Sequence, residues 1–145
     1  MADRIPHPVQ VSDRIHASVL RLGVAVLVAY WVDFYTSGRV RTSEEKSYVD
    51  FQRSFLIADT YVAVAGVIAA HMMTRGRKEA VPVGVAAGSG LTFLGLMDIA
   101  YNLQQGKYSE RTPEMATEKA LNVVSLVLGP LTMVRPWRNR SRFTN

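Results

Sequence analysis

Three aspartates and two asparagines stand inside stretches that otherwise carry almost no charge: Asp33, Asp59, Asp98, Asn102 and Asn122. A polar or ionisable side chain in hydrocarbon is costly, and by default it marks a functional site. Three carboxylates gathered in a low dielectric cannot all stay ionised without a cation, and such a group shares protons. The chemistry that suits them is capture of a cation, of an amine, or of a ligand whose binding is linked to protons. Tyr30 and Tyr101 place phenols at the rim of this group, while Arg53, Lys119 and Arg39 are the bases placed to neutralise it from within. The opposing reading is that the groups only hold helices together, since interhelical hydrogen bonds contribute about 0.6 kcal/mol each on average. It has most force at Asp33, which ends its apolar run, and at Asn102 and Asn122. Glu118 is read as a solvated acid of a first helical turn.

The elements that must position these groups are four apolar runs, Ile15–Phe34, Phe55–Met73, Val81–Leu103 and Ala116–Val134. A bilayer core needs about 20 mostly apolar residues per helix. Mean hydropathy over the whole chain is only slightly positive, because the charges sit between the runs. From Ala80 to Gly106 the only charge is Asp98, and from Ala120 to Val134 there is none. At 145 residues the chain is one domain, read as an all-α, four-transmembrane-helix up-down bundle. Cysteine is absent, which excludes disulfides, thiolate metal sites and thiol catalysis. Residues 1–14 hold two prolines and both charge signs with no small-residue cleavage site after the first run, so they do not read as a secretory signal.

The net charge of +5 does not point to nucleic acid, because its distribution follows the spans. Ten of the 17 basic residues fall on the side that carries both ends: Arg4, Arg14, Arg21, Arg75, Arg77, Lys78, Arg135, Arg138, Arg140 and Arg142. The other seven are nearly cancelled by acids. The excess of Lys and Arg favours an N-in, C-in arrangement in the plasma membrane. Residues 1–14 are then a cytoplasmic segment, 15–134 the membrane domain, and 135–145 a basic tail lying on anionic headgroups.

Thr42 and Glu45 have capping-box spacing, which predicts a second helix starting near Ser43 and carrying Tyr48, Phe51 and Phe55 on an extension. Thr112-Pro113-Glu114 predicts the start of the fourth helix, Pro130 a kink in it, and Pro136 its end. At about 100° per residue, Gly84, Gly88, Leu91, Gly95, Asp98 and Asn102 share one stripe. Asp59, Ala63, Gly66 and Ala70 share another, as do Glu118, Asn122, Ser125 and Gly129. Small residues in membrane helices mark close helix contact, so the polar groups face other helices. Trp31, Tyr35 and Tyr61 fall on the opposite sides, toward lipid. All the polar groups belong to the outer half of the bilayer. Equal spacing from Asp59 to Gly66 and from Asn122 to Gly129 is compatible with two parallel helical-hairpin repeats.

Other constellations are weaker. His16 and His71 lie near one level, but His71 sits off its helix's small-residue stripe, so haem is not expected, nor is any other cofactor or metal. Ser43, Ser89 and Ser125 have no histidine at their depth. With acids on its first two helices, Asp33 and Asp59, the architecture is similar in outline to the emopamil-binding and sigma-2-receptor group of four-helix membrane bundles. That resemblance would imply an amine- or sterol-like ligand at the two acids. The leading expectation is a small integral membrane protein with an outward-facing acidic pocket, binding or transporting a cationic or proton-linked small molecule. Four short helices enclose little volume, so a transport path would call for a homodimer. The alternatives are a non-catalytic accessory subunit whose polar cluster is structural, and a membrane enzyme acting on a lipid-like substrate.

Overall fold

The computed structural model describes residues 9–143. Four helices, α1 (Val11–Thr36), α2 (Lys46–Thr74), α3 (Ala80–Gln104) and α4 (Pro113–Arg138), run alternately up and down. Each is long and apolar enough to cross a membrane. Short connections make sequence neighbours pack as antiparallel pairs, α1 on α2, α2 on α3 and α3 on α4, while the backbones of α1 and α4 make little contact. One end of the bundle carries the α1–α2 and α3–α4 connections (the two-loop end). The other carries the chain ends and the α2–α3 turn (the terminal end). Large apolar side chains face outward on all four helices, among them Leu22, Ile57, Phe93 and Val123. A soluble monomer rarely exposes apolar patches on this scale.

The start of α4 follows its sequence: Thr112 Oγ1 accepts from the Met115 N–H at 3.1 Å, with proline in the first position. The start of α2 does not. It begins at Lys46 without a side-chain cap, because the Thr42 N–H donates to the Tyr48 hydroxyl at 3.3 Å and Ser43 turns back to the Glu45 N–H. The extension is not a free strip either. Tyr48 is fully buried and Phe51 stacks on Tyr101 at 3.9 Å, so the aromatics seal α2 to α3. Nor does Pro136 end α4, which continues to Arg138. The missing N–H leaves the Thr132 carbonyl without its helical donor, a cost that a single position on a packed face can carry.

The tightest packing is between α3 and α4. A Cβ added at Gly88 would stand 2.5 Å from the Gly129 carbonyl oxygen, and one at Gly129 would stand 2.3 Å from Thr92 Oγ1. One turn-pair further on, a Cβ at Gly95 would meet Ser125 Cβ at 2.7 Å. The small-residue stripes are therefore the contact surface itself, and backbone rides on backbone.

The terminal end is closed by a compact core in which Ala17, Leu20, Ala69, Ala70, Met73, Ala80 and Leu128 pack with Phe143. The basic tail thus folds back onto the bundle instead of leaving it, and Arg142 donates to Gln10 Oε1 at 2.6 Å. α1 is clasped to α4 here by Arg135–Asp13 at 3.3 Å and by His16 Nε2 against Thr132 Oγ1 at 3.2 Å. This use of His16 is local hydrogen bonding and leaves it no part in a pair with His71. Residues 1–8 of the segment read as cytoplasmic, Arg4 among them, lie outside the described residues.

Gly88→Ala should lower stability by about 1 to 3 kcal/mol, the usual cost of forcing extra atoms into a packed contact. Gly106→Ala should cost only roughly 1 kcal/mol, from the left-handed backbone alone, since its φ is +65° and nothing lies within 4 Å of the added Cβ. Thermal unfolding of the detergent-solubilised variants measures both, and equal losses would contradict the α3–α4 contact.

Candidate functional site

Asp98 and Asn102 lie one turn apart on α3, and Glu118 and Asn122 one turn apart on α4, so each pair projects from one helix face. The helices run in opposite directions, which sets Asn102 against Glu118 at the two-loop end. Asn102 Nδ2 donates both to the Glu118 Oε1 carboxylate oxygen and to the Asp98 carbonyl, the latter at 3.0 Å. From α2, Gln52 Nε2 donates to Asp98 Oδ1 at 3.3 Å. Asn122 Nδ2 donates to the Tyr108 hydroxyl at 2.8 Å, in the short turn after α3. Burial pushes the Tyr108 phenol above its ordinary pKa, with the Asn122 hydrogen bond acting the other way, so it stays a neutral hydroxyl.

Beneath these groups lies a cavity of about 400 Å³ to which all four helices contribute. Tyr30, Gln52, Asp98, Glu118 and Asn122 form its polar end, and apolar residues such as Val24, Val62, Leu91 and Leu128 form its walls. Asp59 stands on its α2 wall, two turns from Gln52, and accepts from Trp31 Nε1 at 2.9 Å. Asp59 also lines a second, more open groove of about 810 Å³ between α1 and α2. Val24, Leu27, Asp59 and Ala63 line both and form the partition between cavity and groove, with Trp31 holding Asp59 from the groove side.

Hydrogen bonding within the polar end is incomplete. Asn102 is wholly buried and Glu118 is 5% exposed. Yet Asn102 Oδ1, Glu118 Oε2 and Thr42 Oγ1 are buried without a well-formed hydrogen bond, the Thr42 hydroxyl being a donor placed against Glu118. Buried polar atoms are nearly always paired, and each exception calls for an explanation.

The residues singled out in the sequence divide. Asp59, Asp98, Asn122 and Tyr30 line the cavity, and Asn102 backs its polar end. Asp33 lines neither the cavity nor the groove. It is the clamp of the α1–α2 connection, accepting from Arg39 at 2.8 and 3.0 Å, from the Val40 N–H at 3.0 Å and from Ser37. The acid pair behind the resemblance to the emopamil-binding and sigma-2-receptor group is therefore not assembled in one cavity. Tyr101 is spent on the aromatic seal with Phe51. Trp31, expected to face lipid, is buried and holds Asp59. Glu118, read as solvated, is instead a buried acid of the site. Gln52 was not singled out at all, although its seven-residue separation from Asp59 puts the two on one α2 face. Among the described residues no group of three or more His, Asp or Glu side chains is placed to hold a metal ion.

No protein-family model matches the chain, and no curated protein or solved structure matches it.

Glu118→Gln keeps an oxygen for Asn102 Nδ2 and replaces a buried carboxylate by a neutral carboxamide. This variant should be more stable than wild type by about 1 to 3 kcal/mol, the desolvation cost of unmade buried bonds. Glu118→Ala should be less stable, and thermal unfolding of both variants decides it. Asp33→Asn should loosen the α1–α2 connection, seen as faster amide exchange confined to residues 37–45.

Proposed function

We propose that this is a small multi-pass protein of the cell membrane, with both ends cytoplasmic, that binds a cationic small molecule in the polar end of its central cavity. Four helices of spanning length with outward apolar faces support the membrane setting. The Lys and Arg excess at the terminal end supports the orientation, which turns the two-loop end outward.

One observation carries the ligand's charge. The residues lining the cavity include three carboxylates, Asp59, Asp98 and Glu118, and no arginine, lysine or histidine. The bases placed by sequence to neutralise them all turn elsewhere. Arg39 pairs with Asp33, Lys119 Nζ donates to the Tyr108 carbonyl at 2.9 Å, and Arg53 lies 6.0 Å from the Tyr35 ring. An internal ion pair would have left no vacancy for a guest. The acids are instead held by carboxamides and an indole, which donate hydrogen bonds without cancelling charge. A bound cation supplies the charge this environment lacks.

The same geometry favours binding over passage within one protomer. The core around Ala17, Ala69 and Phe143 closes the cavity toward the terminal end. A path across the membrane would require a second copy.

Asp98→Asn should fold, because Gln52 can still donate to the remaining carbonyl oxygen. It should bind organic ammonium ions at least tenfold more weakly, about 1.4 kcal/mol. A thermal-shift titration of wild type and variant with primary, secondary and quaternary ammonium ions, with matched neutral alcohols as controls, reads this directly. Unchanged affinity in the variant, or no response of wild type to any cation, refutes the reading.

A further inference from the structure

We propose that the terminal end of the bundle is a seat for anionic phospholipid headgroups, and that the tail folded back by Phe143 completes it. This rests on the membrane setting and not on the guest of the cavity.

The charge at this end is one-sided. Residues 9–21, 75–80 and 135–143 hold two, three and four basic side chains, against two acids, Asp13 and Glu79. Both acids are already taken, Asp13 by Arg135 at 3.3 Å and Glu79 by Arg77 at 3.1 Å. The exposed Arg14, Arg75, Lys78 and Arg138 enter no ion pair among the described residues. Like charges gathered at one end repel, so an anion supplied from outside stabilises the folded end.

The fold does the gathering, because the three segments are far apart in the chain. Gln10 Oε1 accepts from Arg142 at 2.6 Å, which ties the tail to the start of α1. A Cβ added at Gly76 would stand 3.7 Å from Val9 Cγ2, so the α2–α3 turn meets the same strand of chain. Phe143 is only 6% exposed and packs in the core with side chains of all four helices. The tail therefore runs across the end of the bundle. Its arginines join those of the turn and of α1 instead of trailing away.

The kind of anion follows from what adjoins the cations. Leu131, Val134 and Trp137 are exposed at three-residue intervals on α4, and Arg138 and Arg140 come directly after them. The Arg140 guanidinium lies 5.4 Å from the Trp137 ring centre. A tryptophan at the end of a spanning helix marks the headgroup level. A partner that matches this surface has an apolar part along Leu131 and Val134 and a negative part at Arg138 and Arg140, which is the construction of a phospholipid. A soluble acidic peptide would use the cations and leave the apolar stripe bare. A zwitterionic headgroup brings its own cation to the seat, so a lipid of net negative charge is preferred. The cytoplasmic leaflet, set at this end by the proposed orientation, is the one rich in such lipids.

Trp137 reports on its own neighbours. Full-length protein is placed in nanodiscs containing phosphatidylglycerol or phosphatidylcholine brominated on the acyl chains, and quenching of the indole measures which lipid stands beside it. Trp137→Phe supplies the background from Trp31. Phosphatidylglycerol should be preferred by about fivefold or more at low salt, the effect of a single cation near an anionic surface. The preference should shrink at 1 M salt, where the screening length is about 3 Å. Arg138→Gln with Arg140→Gln should remove most of it. Phe143→Ser keeps every charge but frees the tail, and should at least halve it, whereas Phe143→Leu refills the core and should retain it. The two arginines are exposed, so their result stands whatever Phe143→Ser does to stability. Equal quenching by the two lipids in wild type overturns the seat and leaves the membrane setting intact, and binding of poly-glutamate would then make this end a protein-docking face. A preference untouched by the arginine changes or by Phe143→Ser also overturns it, since dispersed charge would then suffice. Exclusion of the protein from bilayers overturns the membrane setting and the seat with it.

Discussion

The contact of α3 with α4 through Gly88, Gly129, Gly95 and Ser125 is the constraint on which the rest of the molecule depends. Without side chains between them, the two backbones have a single register at which they fit. That register sets Asn102 against Glu118, because the glycines and the polar residues lie on the same stripes at fixed helical spacing. The contact also sets the shape of the bundle. Larger side chains hold the remaining helices apart, and α1, packed chiefly on α2, cannot close against α4 along its length. The cavity is what remains. Tight packing in one seam and an open one opposite are thus two consequences of where the small residues lie.

Energetically the two ends of the bundle differ in kind. At the terminal end the buried charge of Asp13 has a partner in Arg135, His16 has Thr132, and apolar side chains fill the space between. Removing one partner there would leave a buried charge uncompensated, the expensive case for buried ion pairs. At the two-loop end the cavity is lined by three carboxylates and no base, and the space beneath is empty of side chains. A bundle built for stability alone would have placed Leu at such positions. Stability is invested at one end and withheld at the other, as in proteins whose sites carry local costs that the rest of the fold offsets.

The architecture was legible in the sequence because its signals are long-range and redundant. Four apolar runs fix the helices, and the glycine stripes fix which faces meet. The site was legible only in part. Asp33 and Asp98 look alike as lone acids near helix ends, but Asp33 is followed within seven residues by Ser37, Arg39 and the Val40 N–H, all close enough to claim it. Local competition of this kind decides side-chain fate and leaves no periodic trace. Glu118 was misplaced for the opposite reason. A first-turn acid is usually solvated, yet its stripe with Asn122, Ser125 and Gly129 already put it on the buried face. Trp31 was assigned to lipid from its angle on α1, although a long side chain with one N–H can turn inward when a carboxylate waits there. Pro136 was read as a stop because its lost hydrogen bond is certain, while the packing against Gly84 that keeps the helix going past it is a tertiary fact.

Whether the polar end is glue or a site turns on its charge balance. Glue is self-sufficient: each acceptor finds a donor, and the network is complete in the folded chain. Here two carboxylates and three carboxamides converge, and a carboxylate offers about four lone-pair positions against none to donate. The amide hydrogens of Gln52, Asn102 and Asn122 are already directed at Asp98, at Glu118 with the Asp98 carbonyl, and at Tyr108. What the polar end lacks is positive charge, since the residues lining the cavity include three carboxylates and no arginine, lysine or histidine. Interhelical adhesion gains nothing from that imbalance, because a glutamine at position 118 would reduce it without moving a helix. On the proposed reading a cationic guest reduces it as well, and the charge it brings is the reason a carboxylate stands there in place of the amide.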